Sequence, residues 1–279
     1  MEIKQDNKSS MHKKIKINEE VEEILKKIYE EKNIEKKNKI KHVILGDRIF
    51  EIKTDQFNKL KTDTKYFCNE CLRMYEEKIS YDRHRQKCDK KIPGLKLIYE
   101  EKQTKIYKIY GYENVPFCQN LCLLGKCFID HKTLFWDIEN YNFYILFDNS
   151  NFAGFFSEEK YNANNNLSCV VVLPDCQRKG FGSLLIDLSY FYKKGTCERP
   201  LSSDGEKVYY KYWKYKVYKY LEKNNCRNVS ISDMANELNM ANEDVFLALN
   251  LLKCKIDEKI TCDENDLGEI RLVKKEYLK

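Results

Sequence analysis

Four potential metal ligands fall between residues 68 and 88 in the pattern Cys68-x2-Cys71-x12-His84-x3-Cys88. Three thiolates and an imidazole at this spacing satisfy a tetrahedral structural zinc, and gathering both ligand pairs around one ion leaves the chain between them few ways to fold. Tyr75 lies four residues after the second cysteine and Tyr81 three before the histidine, where a ββα finger places its small hydrophobic core. The spacing therefore predicts a finger with Cys68, Cys71, His84 and Cys88 around Zn2+. Four protein ligands leave no position for a reactive water, so this zinc is assigned no chemistry. A single finger reads only ~3 base pairs, which favours a structural part over sequence-specific DNA reading.

The rest of the 279-residue chain is too apolar for global disorder, at 42% hydrophobic and 13% aromatic, although 34% of residues are charged. It contains no run of ~18 apolar residues, and the start Met1-Glu2-Ile3-Lys4-Gln5 lacks the apolar stretch of a signal peptide. A soluble, unexported protein with no membrane partner is expected. On that reading its 12 cysteines are reduced thiols rather than a disulfide framework. The net charge of +6 comes from 42 lysines and eight arginines spread along the chain, not clustered. Such a balance is a weak footprint for nucleic acid.

The pattern divides the chain into an arm over 1–40, strands plus the finger over 41–92, an α/β core over 93–205 and a helical region over 206–279. Val21, Ile24, Leu25 and Ile28 sit at helical spacing in the arm. Strands are expected at Val43 to Leu45, Ile49 to Ile52, Tyr141 to Phe147, Phe152 to Phe156 and Leu167 to Leu173. A helix is expected from Pro116 toward Ile129, a second over Ser183 to Tyr192 and a tyrosine-rich third over 207–225. Ser230 to Leu238 and Val245 to Leu252 read as two short helices. With strands at Lys255 to Thr261 and Glu269 to Val273, they suggest a helix-turn-helix with a hairpin wing.

Leu167 to Pro174 runs directly into Gln177-Arg178-Lys179-Gly180-Phe181-Gly182 and a helix. Glycines at a strand-to-helix junction let backbone amides approach a phosphate, and the helix N-terminus adds partial positive charge. Such turns also use glycine for steric reasons alone. The dinucleotide fingerprint fails because Leu185 occupies its third glycine position, and the Walker pattern is absent. What the loop does match is the Gln/Arg-x-x-Gly-x-Gly/Ala signature of the acetyltransferase superfamily.

Several further segments, collinear over residues 66–260, resemble MYST-type histone acetyltransferases. They are Phe117 to Leu134, Gly154-Phe155-Phe156-Ser157-Glu158-Glu159-Lys160, Leu167 to Pro174, Gln177 to Ser183 and Glu198-Arg199-Pro200-Leu201-Ser202, with the finger preceding them. The resemblance implies an α/β (α+β) fold. Its acetyltransferase core would have a central mixed sheet, preceded by the ββα finger and followed by a winged-helix-like region.

The resemblance also implies an activity, transfer of acetyl from acetyl-CoA to the ε-amine of a histone-tail lysine. Glu198 falls on the catalytic glutamate and Cys169 on the cysteine beside the acetyl group. The cysteine is either a nucleophile or a small polarisable wall, and direct transfer in a ternary complex is favoured. Cofactor contacts carry over to the backbone of Val170, Val171 and Val172, to Gln177, Arg178, Lys179, Gly180, Phe181, Gly182 and Ser183, and to Ser202. Lys126 falls on the lysine that members acetylate on themselves. A nuclear chromatin regulator is implied, with histone tails, subunits of a chromatin-modifying complex and non-specific DNA contact as partners.

The sequence departs from the family where Ser202-Ser203-Asp204-Gly205 replaces Ser-Asp-Leu-Gly and where the stretch from Ser189 to Glu198 is short. The brevity of the arm, with the chain stopping soon after the wing, suggests a pared-down catalytic subunit. The competing reading is a catalytically degenerate chromatin- or DNA-binding module that uses the finger and the winged-helix-like region. Retention of Glu198 and of the loop glycines argues against it.

Overall fold

The computed structural model describes residues 42–52, 63–89, 92–129, 137–224, 230–253, 267 and 270–279. The helix expected in the arm and the strand expected at Lys255 to Thr261 lie outside the described residues.

The first unit is a four-stranded sheet. Strands β1 (His42–Leu45) and β2 (Arg48–Glu51) form a hairpin, β3 (Thr64–Phe67) and β4 (Met74–Tyr75) form another, and β1 pairs in parallel with β3. Helix α1 (Lys78–Lys87) completes the ββα unit. Its expected core is present, with Tyr81 buried between Tyr66 and Tyr75 at ring separations of 5.4 and 6.3 Å. The Tyr81 hydroxyl donates to the Gly46 carbonyl (3.1 Å), so the finger and the leading hairpin are one packed body.

The second unit is a five-stranded sheet built from β5 (Lys96–Glu101), β6 (Thr104–Tyr110), β7 (Tyr141–Asp148), β8 (Asn151–Glu159) and β10 (Cys169–Val172), in the order β10-β8-β7-β6-β5. Every pairing in it is antiparallel. The mixed sheet expected above is thus corrected in detail. The parallel component is the short pair β9 (Asn165–Leu167) with β11 (Thr196–Cys197), which forms at the end of the main sheet. One continuous strand over Leu167 to Leu173 was expected, but the chain breaks at Ser168. The Ser168 amide still donates to the Ser157 carbonyl (2.7 Å), while β9 leaves β8 to pair with β11.

Helix α2 (Val115–Lys126) begins where Pro116 favours it, with the Asn114 side chain accepting from the Phe117 amide (3.2 Å). Helix α3 (Phe181–Tyr192) is buried without interruption from Ser183 to Tyr190 and packs on β8, β9 and β10. A helix apolar on nearly all sides belongs in a core, not on a surface. Helix α4 (Ser203–Lys223) lies against α3, and the pair α5 (Ile231–Leu238) and α6 (Asn242–Leu251) packs on α4. Tyr209, Tyr212 and Tyr220 are buried, as expected of packing tyrosines. No helix among the described residues is long and apolar enough to cross a membrane.

The strand expected at Glu269 to Val273 is not formed by Ile270 to Val273, which carry no strand pairing. This stretch runs along α3 instead, the Arg271 amide donating to Ser183 Oγ (3.2 Å) and the Val273 amide to Asp187 Oδ2 (2.8 Å). Beyond it, Leu278 bridges to Tyr99 and the Lys279 amide donates to the Ile98 carbonyl (2.9 Å). Backbone donors met by buried side chains need no neighbouring strand, which is why Ile270 to Val273 run without strand pairing.

Candidate active site and metal centre

The four predicted ligands converge. Their ligand atoms all lie within 4.8 Å of one another, with Cys68 Sγ 3.8 Å from Cys88 Sγ and Cys71 Sγ 3.2 Å from His84 Nε2. A tetrahedral zinc with bonds of ~2.3 Å to sulfur and ~2.0 Å to nitrogen sets ligand atoms ~3.5–3.8 Å apart, so the group fits such an ion. Crowding of thiols favours ionisation of one of them: a hydrogen bond from Cys71 is the main cause holding Cys68 down at about 4. All nine cysteines among the described residues are free. Cys118, Cys122 and Cys127 are buried along α2 and just past its end.

The glycine loop continues from β10 through a turn at Pro174–Cys176. The side-chain amide of Gln177 reaches back to the Val172 carbonyl (3.2 Å), which folds the loop over the end of its own strand. Gly180 caps α3 at φ 77°, and a Cβ there would meet Arg271 Cβ at 2.6 Å, so both conformation and space require glycine. No side chain caps α3 and its first turn holds no acidic residue. With Arg178 and Lys179 exposed beside it, this helix end is suited to an anion. Phe181 is buried under the Arg271 guanidinium. Ser183 Oγ is occupied within the fold, donating to the Gly180 carbonyl (2.9 Å) while it accepts from Arg271.

Val170, Val171 and Val172 lie on β10, the edge of the main sheet. Gly154 stands opposite Val172, and a Cβ on it would meet the Val171 carbonyl at 2.3 Å, so this edge approaches β8 closely only because position 154 is glycine.

Cys169 begins β10 opposite Ser157 and is half-buried. Glu198 follows β11, is exposed, and donates its backbone amide to the Leu167 carbonyl (2.9 Å). The break between β9 and β10 thus joins the Glu198 backbone to the chain two residues before Cys169. Ser202 serves α4, its side chain accepting from the Gly205 amide (3.1 Å). Lys126 is the last residue of α2, where a cation suits the helix dipole.

The sequence signature of the MOZ/SAS family matches residues 91–277. The chain belongs to the MOZ/SAS family. Among its MOZ/SAS relatives it is 35% identical to histone acetyltransferase SAS3 of Saccharomyces cerevisiae, over 77% of this chain and 30% of that protein. It is 35% identical to histone acetyltransferase MOF of Drosophila melanogaster, over 80% of this chain and 29% of the relative. Histone acetyltransferase KAT6B of Mus musculus is 36% identical over 67% of this chain and 10% of its own length. The match spans less than a third of these relatives.

Sequence reasoning passed over the residues that hold the MOZ/SAS core together. Arg48 donates to the Asn69 side chain (3.2 Å) in the finger and to the Phe152 carbonyl (2.8 Å) on β8, and pairs with Asp175 (3.3 Å) just before the loop. Arg271 and Lys274 both pair with buried Glu101. Arg199, next to Glu198, pairs with buried Asp244 at 2.8 Å. One signal could have found them. In a chain with 42 lysines an arginine is the exception, and the planar fork of its guanidinium serves where two fixed acceptors must be bridged.

Proposed function

We propose that this protein is a lysine acetyltransferase that moves acetyl from acetyl-CoA to the ε-amine of a histone-tail lysine. One observation carries the reading: β10 runs at one end into the glycine loop and at the other starts from the break where the Glu198 amide binds the Leu167 carbonyl. Cosubstrate would lie along Val170 to Val172, with its phosphates on the amides from Gln177 to Ser183. Ser202 is assigned the contact that follows the glutamate. Zn2+ held by Cys68, Cys71, His84 and Cys88 ties the finger and supplies no reacting group.

A lysine arrives as an ammonium with a pKa near ~10.4 and cannot attack until it loses a proton. Glu198 takes that proton; the neutral amine adds to the thioester carbonyl carbon, the carbon–sulfur bond breaks and the sulfur leaves as a thiolate. The new amide nitrogen gives its surplus proton to the thiolate, and Glu198 releases the proton it holds to solvent, which restores the base. Glu198 is exposed, which leaves its carboxylate open to an incoming ammonium. Cys169 acts as a wall of the thioester pocket, since Glu198 suffices for direct transfer in the ternary complex. Lys126 is a self-acetylated residue. Action on histone tails would put the protein in the nucleus, in a chromatin-modifying complex.

Transfer of labelled acetyl to free histones tests this. Glu198→Gln lowers the rate by ~10²-fold or more while zinc content and acetyl-CoA binding persist. A wild-type protein that neither binds acetyl-CoA nor transfers acetyl, even with nuclear extract present, overturns the reading.

A further inference from the structure

Resting on that reading, we propose that Asp244 is a positioning residue for Glu198: with the turn between α5 and α6 it clamps the segment that carries the base. The segment from Lys193 to Pro200 forms only the two-residue strand β11, and Lys194, Glu198, Arg199 and Pro200 are exposed. Two sets of contacts from the C-terminal helices hold it on either side of Glu198.

On the near side, the Gly195 amide donates to the Asn239 carbonyl (3.1 Å) and the Ala241 amide donates back to the Gly195 carbonyl (3.1 Å). Asn239, left-handed at φ 56°, also sends its side-chain amide to the Tyr190 carbonyl (3.1 Å), and Lys194 pairs with the Asn236 side chain. On the far side, Arg199 Nη2 binds Asp244 Oδ1 at 2.8 Å with its guanidinium over the Trp213 ring at 5.5 Å. The other carboxylate oxygen accepts from the Tyr190 hydroxyl (3.4 Å), which itself accepts from Trp213 Nε1 (2.8 Å).

Asp244 is 1% exposed, and burial raises its pKa against the pull of Arg199. Its place in the first turn of α6 also favours its charge. A pair between an exposed guanidinium and a buried carboxylate is a poor source of stability, because water screens the one and desolvation penalises the other. What it supplies is geometry. Here the geometry is that of the residue bonded directly to Glu198, and a misplacement of 1 Å costs ~10²-fold in rate.

The test uses the full chain with Asp244→Ala, Asp244→Asn and Arg199→Gln, each alone and combined with Glu198→Gln. Histone acetylation rates are divided by the number of molecules that bind acetyl-CoA. Asp244→Ala lowers kcat ~10-fold or more with KM for acetyl-CoA within about twofold, while Asp244→Asn, which keeps the acceptor, recovers part of the loss. In the Glu198→Gln background Asp244→Ala costs nothing further, because it acts through a base already removed. Hydrogen exchange gives an arm independent of activity: the Glu198 amide exchanges faster in Asp244→Ala, or in Asp244→Asn should the alanine variant not fold, while amides of β7 and β8 keep their protection. An unchanged rate, a loss that persists without Glu198, or exchange rising across the whole sheet overturns the proposal. A wild-type protein inactive on histones and blind to acetyl-CoA defeats the acetyltransferase reading instead, and the exchange comparison still decides the clamp.

Discussion

The finger and the Glu198 segment are held in opposite ways. The finger gathers four ligands from 21 consecutive residues, Cys68 to Cys88, and its aromatic core from the same stretch and the strand before it. The Glu198 segment has almost no structure of its own and takes its place from Leu167, Asn239 and Asp244, the last of these 45 residues beyond Arg199. A set of four metal ligands can fix a short chain with little core, whereas a side chain proposed to meet two substrates has to be held from outside if its tip is to stay exposed.

The sharpest way to break this comparison is to remove the zinc proposed for the finger. Since structural zinc contributes ~10 kcal/mol or more to the folding of finger units, a chelator should abolish protection of amides over residues 63–89 in hydrogen exchange. The Glu198 amide should keep its protection. Loss at both places would mean that Arg48, which spans finger and core, transmits the opening to the loop.

A smaller effect tests the long-range fastenings by pH. Burial opposes the charge of Glu101, but the hydrogen bonds and charges of Lys274 and Arg271 prevail and hold its pKa down to about 2. A depressed folded-state pKa contributes stability that is present above the unfolded value near ~4.5 and is lost as pH falls through the folded value. About two and a half units correspond to an upper figure of about 3 kcal/mol. Glu101→Gln should therefore destabilise the protein at neutral pH and flatten the acid limb of its unfolding curve between pH ~4.5 and ~2. An unchanged limb would show that the tail is held by Leu278 and Lys279 instead.

The smallest perturbation is local. The Ser230 side chain caps α5 by accepting from the Asp233 amide (3.1 Å), and Ser230→Ala should cost ~1 kcal/mol by thermal unfolding. If α5 and its turn clamp Gly195, part of that loss should appear as faster exchange at Gly195. No change there would separate the helix pair from the loop it touches.

Much of this was legible along the chain. The four ligands and both finger tyrosines follow from spacing, α2 from Pro116, and α3 from an apolar run opened by Gly180 and Gly182. Hairpin β5–β6 was not expected: Thr104-Lys-Ile-Tyr-Lys-Ile-Tyr110 alternates after the turn at Lys102, but its interleaved lysines mask that pattern in so lysine-rich a chain. Glu198 was reachable only through family resemblance, because a lone exposed glutamate has no local pattern.

By itself the sequence determined what depends on near neighbours: ligand spacing, helix starts, apolar periodicity and the glycine positions. Tertiary structure alone decided the break at Ser168, the course of Ile270 to Val273 along α3, and the partners of Arg48, Arg199 and Arg271. The physical reason is range. Metal ligation within a short loop, capping and helical periodicity act over a few to some twenty residues, so order along the chain records them. An ion pair on a buried carboxylate between residues 45 or 170 apart leaves no periodic trace, and only the packed core brings its two ends together.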